Sequence, residues 1–203
     1  MFSRMISSVT GQQPKEIRWS EREDLTPLEK EAVTLYLKYS SEVQNYLRHP
    51  REISGLEEWS WFQAMIHHLD DAIARSTLQP GDLVYRGVRS DFTKRLLFLL
   101  SIDAGECSEK DGFHRVTPYI IQDQGYTSFT RDVRQFFPES KAGIRVVLVH
   151  QTTSADRAIE IGGKALELLY PRALRWMTTG FECISLMGKR TILISLDSFT
   201  GGI

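Results

Sequence analysis

Three short runs carry side chains that an ordinary strand would not. In Leu83-Val84-Tyr85-Arg86-Gly87-Val88, Arg86 interrupts an apolar, β-rich stretch. A guanidinium there needs an anionic partner, and its planar fork of donors matches a carboxylate or a phosphate. Gly87 beside it lets a ligand approach the backbone closely. In Gly125-Tyr126-Thr127-Ser128-Phe129-Thr130, the hydroxyls of Ser128 and Thr130 fall on one face of a strand, because side chains alternate with period two. Such a pair can bridge a ligand and a neighbouring side chain, or satisfy local backbone groups. In Ala165-Leu166-Glu167-Leu168-Leu169-Tyr170-Pro171, Glu167 sits in an otherwise apolar strand as the partner of a buried arginine or as a functional acid. Taken singly, each run is compatible with a structural role.

The elements that must position these residues come in two blocks. Thr26-Pro27-Leu28-Glu29 has the form of a capping box with proline in the first turn. Leu28, Ala32, Leu35, Tyr36 and Tyr39 continue it as a helical stripe, and a second helical stretch runs through Val43 and Leu47 to end before His49-Pro50. A further helix over about Glu57 to Ala74 carries Trp61, Met65, Ile66, Leu69 and Ile73 on one face, and Gln79-Pro80-Gly81 separates it from the next block. Strands are expected at Leu83–Val88, Tyr126–Thr130, Ile144–His150, Ala165–Leu169 and Thr191–Leu196, with a weaker one around Leu174–Met177 and a helix over Phe92–Ile102. Helices first and strands afterwards, without βαβ alternation, mean an α+β fold with a mixed, largely antiparallel sheet.

Composition bounds the partners. The 203 residues are 41% hydrophobic and 25% charged, which excludes a disordered chain, a collagen-like fibre and a disulfide scaffold. Twenty-five Lys and Arg stand against 26 Asp and Glu, a net charge of −1, so nothing global directs the chain to nucleic acid or an anionic membrane. No apolar run approaches the ~20 residues of a spanning helix, so no membrane insertion is expected. Residues 1–19 are polar and aperiodic, and are read as a flexible leader or a translocation signal without a cleaved signal peptide; residues 20–203 form one domain. Cys107 and Cys183 lack metal-ligand spacing and are expected as reduced structural thiols. His67 and His68 point about 100° apart on a helix, His114 and His150 have no spaced partners, and no metal is assigned.

Together the three runs resemble the Arg–Ser–Glu class of mono-ADP-ribosyltransferases. Thr34 to Arg48 (TLYLKYSSEVQNYLR) is similar to the helix of the clostridial binary-toxin and Rho-modifying exoenzyme branch, where a Tyr-rich stretch leads to Asn and Leu-Arg. Leu69-Asp70-Asp71-Ala72-Ile73-Ala74 precedes the Tyr-Arg-Gly strand in the same order, and a proline follows Glu167 as in the catalytic strand of that family. The resemblance covers about residues 25–197. It implies helices packed on a split β-sheet, with NAD as substrate and no metal.

Carried over residue by residue, the resemblance implies that Arg86 grips the phosphates of NAD, and that Ser128 lies beneath the nicotinamide ribose and helps hold Glu167. Glu167 would hydrogen-bond that ribose and stabilise the positive charge developing as nicotinamide departs. Thr130, Tyr126, Asn45, Arg131, Arg134 and Phe136 are the further cofactor contacts it implies. The chain departs from the pattern in two places. The Ser-Thr-Ser of the family is Ser128-Phe129-Thr130 here, and the acceptor-side Glu or Gln expected two residues before Glu167 is Ala165. The implied function is transfer of ADP-ribose from NAD to a host or target-cell protein by a secreted effector or toxin. That effector would be a monomer acting in the target-cell cytoplasm. NAD glycohydrolysis, or a silent fold that binds a partner protein, are the alternatives.

Overall fold

The computed structural model describes residues 22–50, 56–88, 90–136, 145–162, 167–186 and 188–199. Residues 1–19, expected as a leader, and Ala165 lie outside these described residues. The first helix is capped by Thr26, an extended residue whose hydroxyl accepts from the Glu29 N–H while the Glu29 carboxylate accepts from the Thr26 N–H at 2.7 Å. This reciprocal cap starts α1 (Pro27–Arg48). The two helical stretches read from the sequence are one helix bent at Tyr39, whose φ of −122° and ψ of 28° leave the helical range. Helix α2 (Leu56–Arg75) packs beside it through Met65, Ile66, Leu69 and Ile73. Trp61, expected on that buried face, is instead 39% exposed and meets Tyr39 edge-on at 5.6 Å.

Next come β1 (Leu83–Gly87), α3 (Ser90–Leu99), β2 (Phe113–Arg115), β3 (Ile120–Gln122) and β4 (Thr127–Thr130). A 3₁₀ turn at Val133–Phe136 leads to β5 (Arg145–Gln151), β6 (Ile159–Gly162), β7 (Glu167–Tyr170), β8 (Arg175–Leu186) and β9 (Lys189–Phe199). The nine strands lie in the order β2-β8-β9-β5-β1-β4-β7-β6, with β3 also on β8. Every pairing is antiparallel except β5 with β9, so the expected mixed, largely antiparallel α+β architecture is present.

The sheet is split. Between β1 and β4 the ladder has a single register pair, Tyr85 opposite Thr130, whereas β1 and β5 run together over five pairs. The β4-β7-β6 half is covered by α1 and α2, whose buried side chains meet Leu169, Ile159 and Ile161. A second core fills the space between the halves, joining Val84, Leu148 and Ile194 to Phe129, Leu168 and Tyr170, with Leu96 and Leu100 at α3 and just beyond it.

Cys107 and Cys183 correct the expectation of reduced thiols: they are joined as a disulfide, with Cα atoms 5.9 Å apart, inside the range the bond requires. The link fastens the loop after α3 to β8 across a separation of 76 residues, a proximity that spacing along the chain gives no means of reading. Among the described residues no helix is long and apolar enough to cross a membrane.

A polar knot lies inside this apolar frame. The buried His150 ring places Nδ1 3.0 Å from the Leu196 carbonyl and Nε2 2.9 Å from the Asp156 carboxylate, which also accepts from the Thr153 N–H at 2.6 Å. Burial pushes the Asp156 carboxyl up, but the hydrogen bond and charge of His150 together with the Thr153 contacts outweigh it and hold it below its ordinary value of 3.8. A carboxyl depressed on folding stabilises the fold fully above its unfolded pKa, and that contribution fades as pH falls through the lowered folded value. Asp156→Asn is therefore expected to cost about 3–5 kcal/mol in urea denaturation at neutral pH and to flatten the loss of stability below pH 4. An unchanged acid limb would show that the knot is not its source.

Candidate active site

The candidate site begins at the bent helix. Beyond Tyr39, the residues Ser40, Ser41, Gln44, Asn45 and Arg48 return at helical spacing and line one wall of a polar cavity of about 310 Å³. Ser128 and Glu167 form the opposite wall, with Tyr36 at its edge. Thr130 pairs with Glu167 and Ser128 with Leu169, and cross-strand partners share a face. Ser128 and Glu167 thus both point towards the helices, while Phe129 and Leu168 fill the core between the halves.

Tyr36 is the meeting point of this wall. Its hydroxyl accepts from Gln44 Nε2 at 3.0 Å. Burial raises its pKa above the ordinary 10.0; the Gln44 hydrogen bond opposes that, the Glu167 charge adds to it and a Ser128 hydrogen bond opposes it. The phenol therefore stays protonated beside the carboxylate. Gln44 also donates to the Tyr126 carbonyl at 2.9 Å, tying α1 to the loop that enters β4. That approach is possible because residue 125 is glycine: a Cβ there would run into the Gln44 amide oxygen.

Arg86 opens onto a second cavity, of about 460 Å³, with Gly87, Val88, Phe92, Phe129 and Trp176 among its walls. Arg86 lies on the core side of β1, opposite Leu148, whereas Ser128 and Glu167 lie on the helix side of their strands. The three residues singled out together in the sequence therefore front two adjoining cavities. What joins them is Arg48, which lines both. Its Nε and Nη2 donate to the two carboxylate oxygens of Asp123 at 2.8 and 2.7 Å, and Arg86 Nη2 lies 3.6 Å from the same carboxylate. Burial raises the Asp123 pKa, but the Arg48 hydrogen bonds, the Gly125 N–H and the charges of Arg48 and Arg86 together hold it below the ordinary carboxylate value.

The further contacts expected from the sequence divide. Asn45 fronts the polar cavity. Thr130 is buried and its hydroxyl accepts from the Asp132 N–H, so it supports the turn after β4 and lines neither cavity. Tyr126 is buried against Tyr36, with its hydroxyl 2.9 Å from Asp70. Arg131 points to the core side, where it pairs with Glu160 at 2.7 Å and Asp82 at 3.2 Å. Arg134 pairs with Asp132 at 2.7 Å on the surface. None of these three lines either cavity. The Phe136 side chain lies outside the described residues. Tyr36, Gln44 and Asp123 were not among the site residues expected from the sequence. Their signals were the tyrosine one bend before the Gln-Asn-Tyr-Leu-Arg run and the Asp-x-Gly turn before Ser128.

The larger cavity is lined by residues with polar atoms that a ligand could complete. Thr127 Oγ1 and Trp176 Nε1 are buried and find no hydrogen-bond partner among the described residues. Such groups cost free energy unless a ligand or water completes them. Among the described residues no cluster of three or more potential metal ligands occurs.

A family model described as ADP-ribosyltransferase exoenzyme matches residues 14–201. No curated protein matches the chain. Among solved structures it is similar to Plx2a, an ADP-ribosyltransferase toxin from Paenibacillus larvae, at a TM-score of 0.60 and 21% identity over 87% of this chain and 88% of that one. An ADP-ribosyltransferase from Clostridium botulinum gives 0.58 at 18% identity over 87% and 88%. The C3 exoenzyme of Clostridium limosum gives 0.57 at 14% identity over 92% and 98%.

The Gly125–Gln44 contact makes a specific demand on the fold. Gly125→Ala is expected to destabilise by about 1–3 kcal/mol through overpacking. In the Gly125→Ala, Gln44→Ala double variant part of that cost should return, because the colliding amide is gone. Strict additivity of the two melting-temperature shifts would show that the close approach is not what fixes glycine here.

Proposed function

The chain belongs to the ADP-ribosyltransferase exoenzyme family, and from that premise we propose that it transfers ADP-ribose from NAD to a side chain of a target-cell protein, releasing nicotinamide. One observation carries the reading for this chain: Glu167, Ser128 and Tyr36 share a polar cavity that Arg48 joins to the Arg86 cavity. A dinucleotide with an anionic middle and a cationic, departing end calls for such a pairing of charges.

In the proposed mechanism Arg48 and Arg86 bind the two phosphates, and the unpartnered Thr127 and Trp176 groups of the larger cavity offer a hydroxyl and an N–H to the ligand. Glu167, held beside Ser128 and the protonated Tyr36 hydroxyl, hydrogen-bonds the nicotinamide ribose and stabilises the positive charge that grows at its anomeric carbon. The bond from that carbon to the pyridinium nitrogen breaks with its electron pair going to the nitrogen. Nicotinamide therefore leaves neutral and needs no general acid. The acceptor then forms the new bond to the same carbon and gives up its proton to water.

We propose that the chain acts as a monomer. Membership of an exoenzyme family supports secretion and action in a target cell, and we propose that the chain acts there.

The test is release of nicotinamide from NAD, with biotin-labelled NAD and cell lysate reporting transfer. Glu167→Gln is expected to reduce release by about 10²–10³-fold while leaving NAD affinity within a few fold, as for loss of one preorganised electrostatic contact. Wild-type rates in Glu167→Gln would refute the proposal. Arg86→Ala is expected to act chiefly on KM, by about tenfold or more, as loss of a charge-assisted phosphate contact does.

A further inference from the structure

Arg48 occupies the decisive place between the two cavities, yet it stands on the last turn of a bent helix and more than a third of its side chain is accessible. A long, rotamer-rich side chain in that setting loses considerable conformational entropy when a ligand fixes it. Here it is fixed in advance. The Asp123 carboxylate takes the Nε–Nη2 edge of the guanidinium in a bidentate contact. Arginine carries five N–H donors, so this leaves both Nη1 donors and one on Nη2.

The carboxylate is itself held. Asp123 Oδ1 accepts the Gly125 N–H at 3.0 Å, and Gly125 is pressed against Gln44, which donates to the Tyr126 carbonyl. The Tyr126 ring is buried against Tyr36 and its hydroxyl is anchored at Asp70. The turn over 123–126 is thus fastened to α1 and α2 at several points. An acid that merely stood in for an absent phosphate would need freedom to withdraw when the ligand arrived. Electrostatics alone also argues against its presence, because a negative charge 3.6 Å from Arg86 weakens the attraction of the site for a diphosphate. A carboxylate that is both fastened and electrostatically adverse is explained by what it does to Arg48.

We propose that Asp123 is a positioning residue for NAD binding: it stays paired with Arg48 throughout and orients the remaining guanidinium donors towards the phosphates where the two cavities meet. This inference rests on the proposed function, since it presumes that the ligand's phosphates lie at Arg48.

The test is a double-mutant cycle on the full chain, reading NAD affinity by calorimetry and nicotinamide release by initial rates. Arg48→Ala is expected to weaken NAD by about tenfold or more, and Asp123→Asn by about 5–20-fold, with kcat within about threefold in Asp123→Asn. In the Arg48→Ala background Asp123→Asn should add less than about twofold, because its effect runs through the arginine. Asp123→Glu, which keeps the charge, should recover part of the affinity and serves in the cycle if Asp123→Asn does not fold. Tighter NAD binding by Asp123→Asn would make Asp123 a competitor of the phosphates and overturn the inference. Equal losses in both backgrounds would overturn it as well, by showing a general effect on the fold. Absence of NAD binding by the wild type, or no effect of Arg48→Ala, would instead bring down the underlying functional reading and this inference with it.

Discussion

The arrangement turns on the divergence of β1 from β4. These strands meet at one register pair, Tyr85 with Thr130, and then part, so the sheet cannot close as a continuous surface. Side chains around that parting pack into three cores, one under α1 and α2, one between the halves, and one that joins Tyr85 and Val133 to Val147, Val149 and Leu193. At the edges of these cores two adjoining cavities remain, with Arg48 as their common wall. The cleft is a consequence of strand geometry, and the side chains at its edges inherit their roles from it.

Charge inside this frame is arranged in small closed sets. Arg131 is matched by Glu160 and Asp82, Arg172 by Asp70, and Arg48 by Asp123. The Arg131 set is the most buried, and a cation there without partners would carry a heavy desolvation cost, so that set is a condition of folding; the other two are more exposed and contribute less to stability. The Arg48 set differs in standing where two cavities meet and in keeping donors in reserve. That combination is what suits it to the proposed phosphate contact, whereas Arg131, chemically the same, is paired with two acids. The Thr127 and Trp176 groups show the complementary state: polar atoms of cavity-lining residues with no hydrogen-bond partner among the described residues.

Much of this was legible in the chain. The capping box at Thr26, the Pro-Gly break before β1 and the alternating apolar runs gave the α+β class, because caps and periodicity are local physics. The bend at Tyr39 was visible as two helical stretches and became one kinked helix. β2, β3 and β6 went unread, since three- or four-residue strands carry too few alternations to stand out, and β8 reached twelve residues where a weak strand was expected. In the site, Arg86, Ser128, Glu167 and Asn45 could be singled out because a polar side chain in an apolar strand, or a motif of a known family, is conspicuous. Arg131 and Arg134 looked equally promising and proved to be paired elsewhere. Tyr36, Gln44 and Asp123 are ordinary residues in their own segments.

Sequence by itself thus determined residue type and local geometry: which strands hold a charge, which hydroxyls share a face, and that Glu167 belongs to a strand ending in proline. Both follow from neighbours in the chain, where period and cap act over a few residues. Only the tertiary structure decided partners. It set Arg86 and Glu167 on opposite sides of the sheet, brought Arg48 and Asp123 together across 75 residues to bridge them, and joined Cys107 to Cys183. The physical reason is that ion pairs and cavities depend on distance in space, and a diverging pair of strands sets those distances without leaving a periodic mark in the chain.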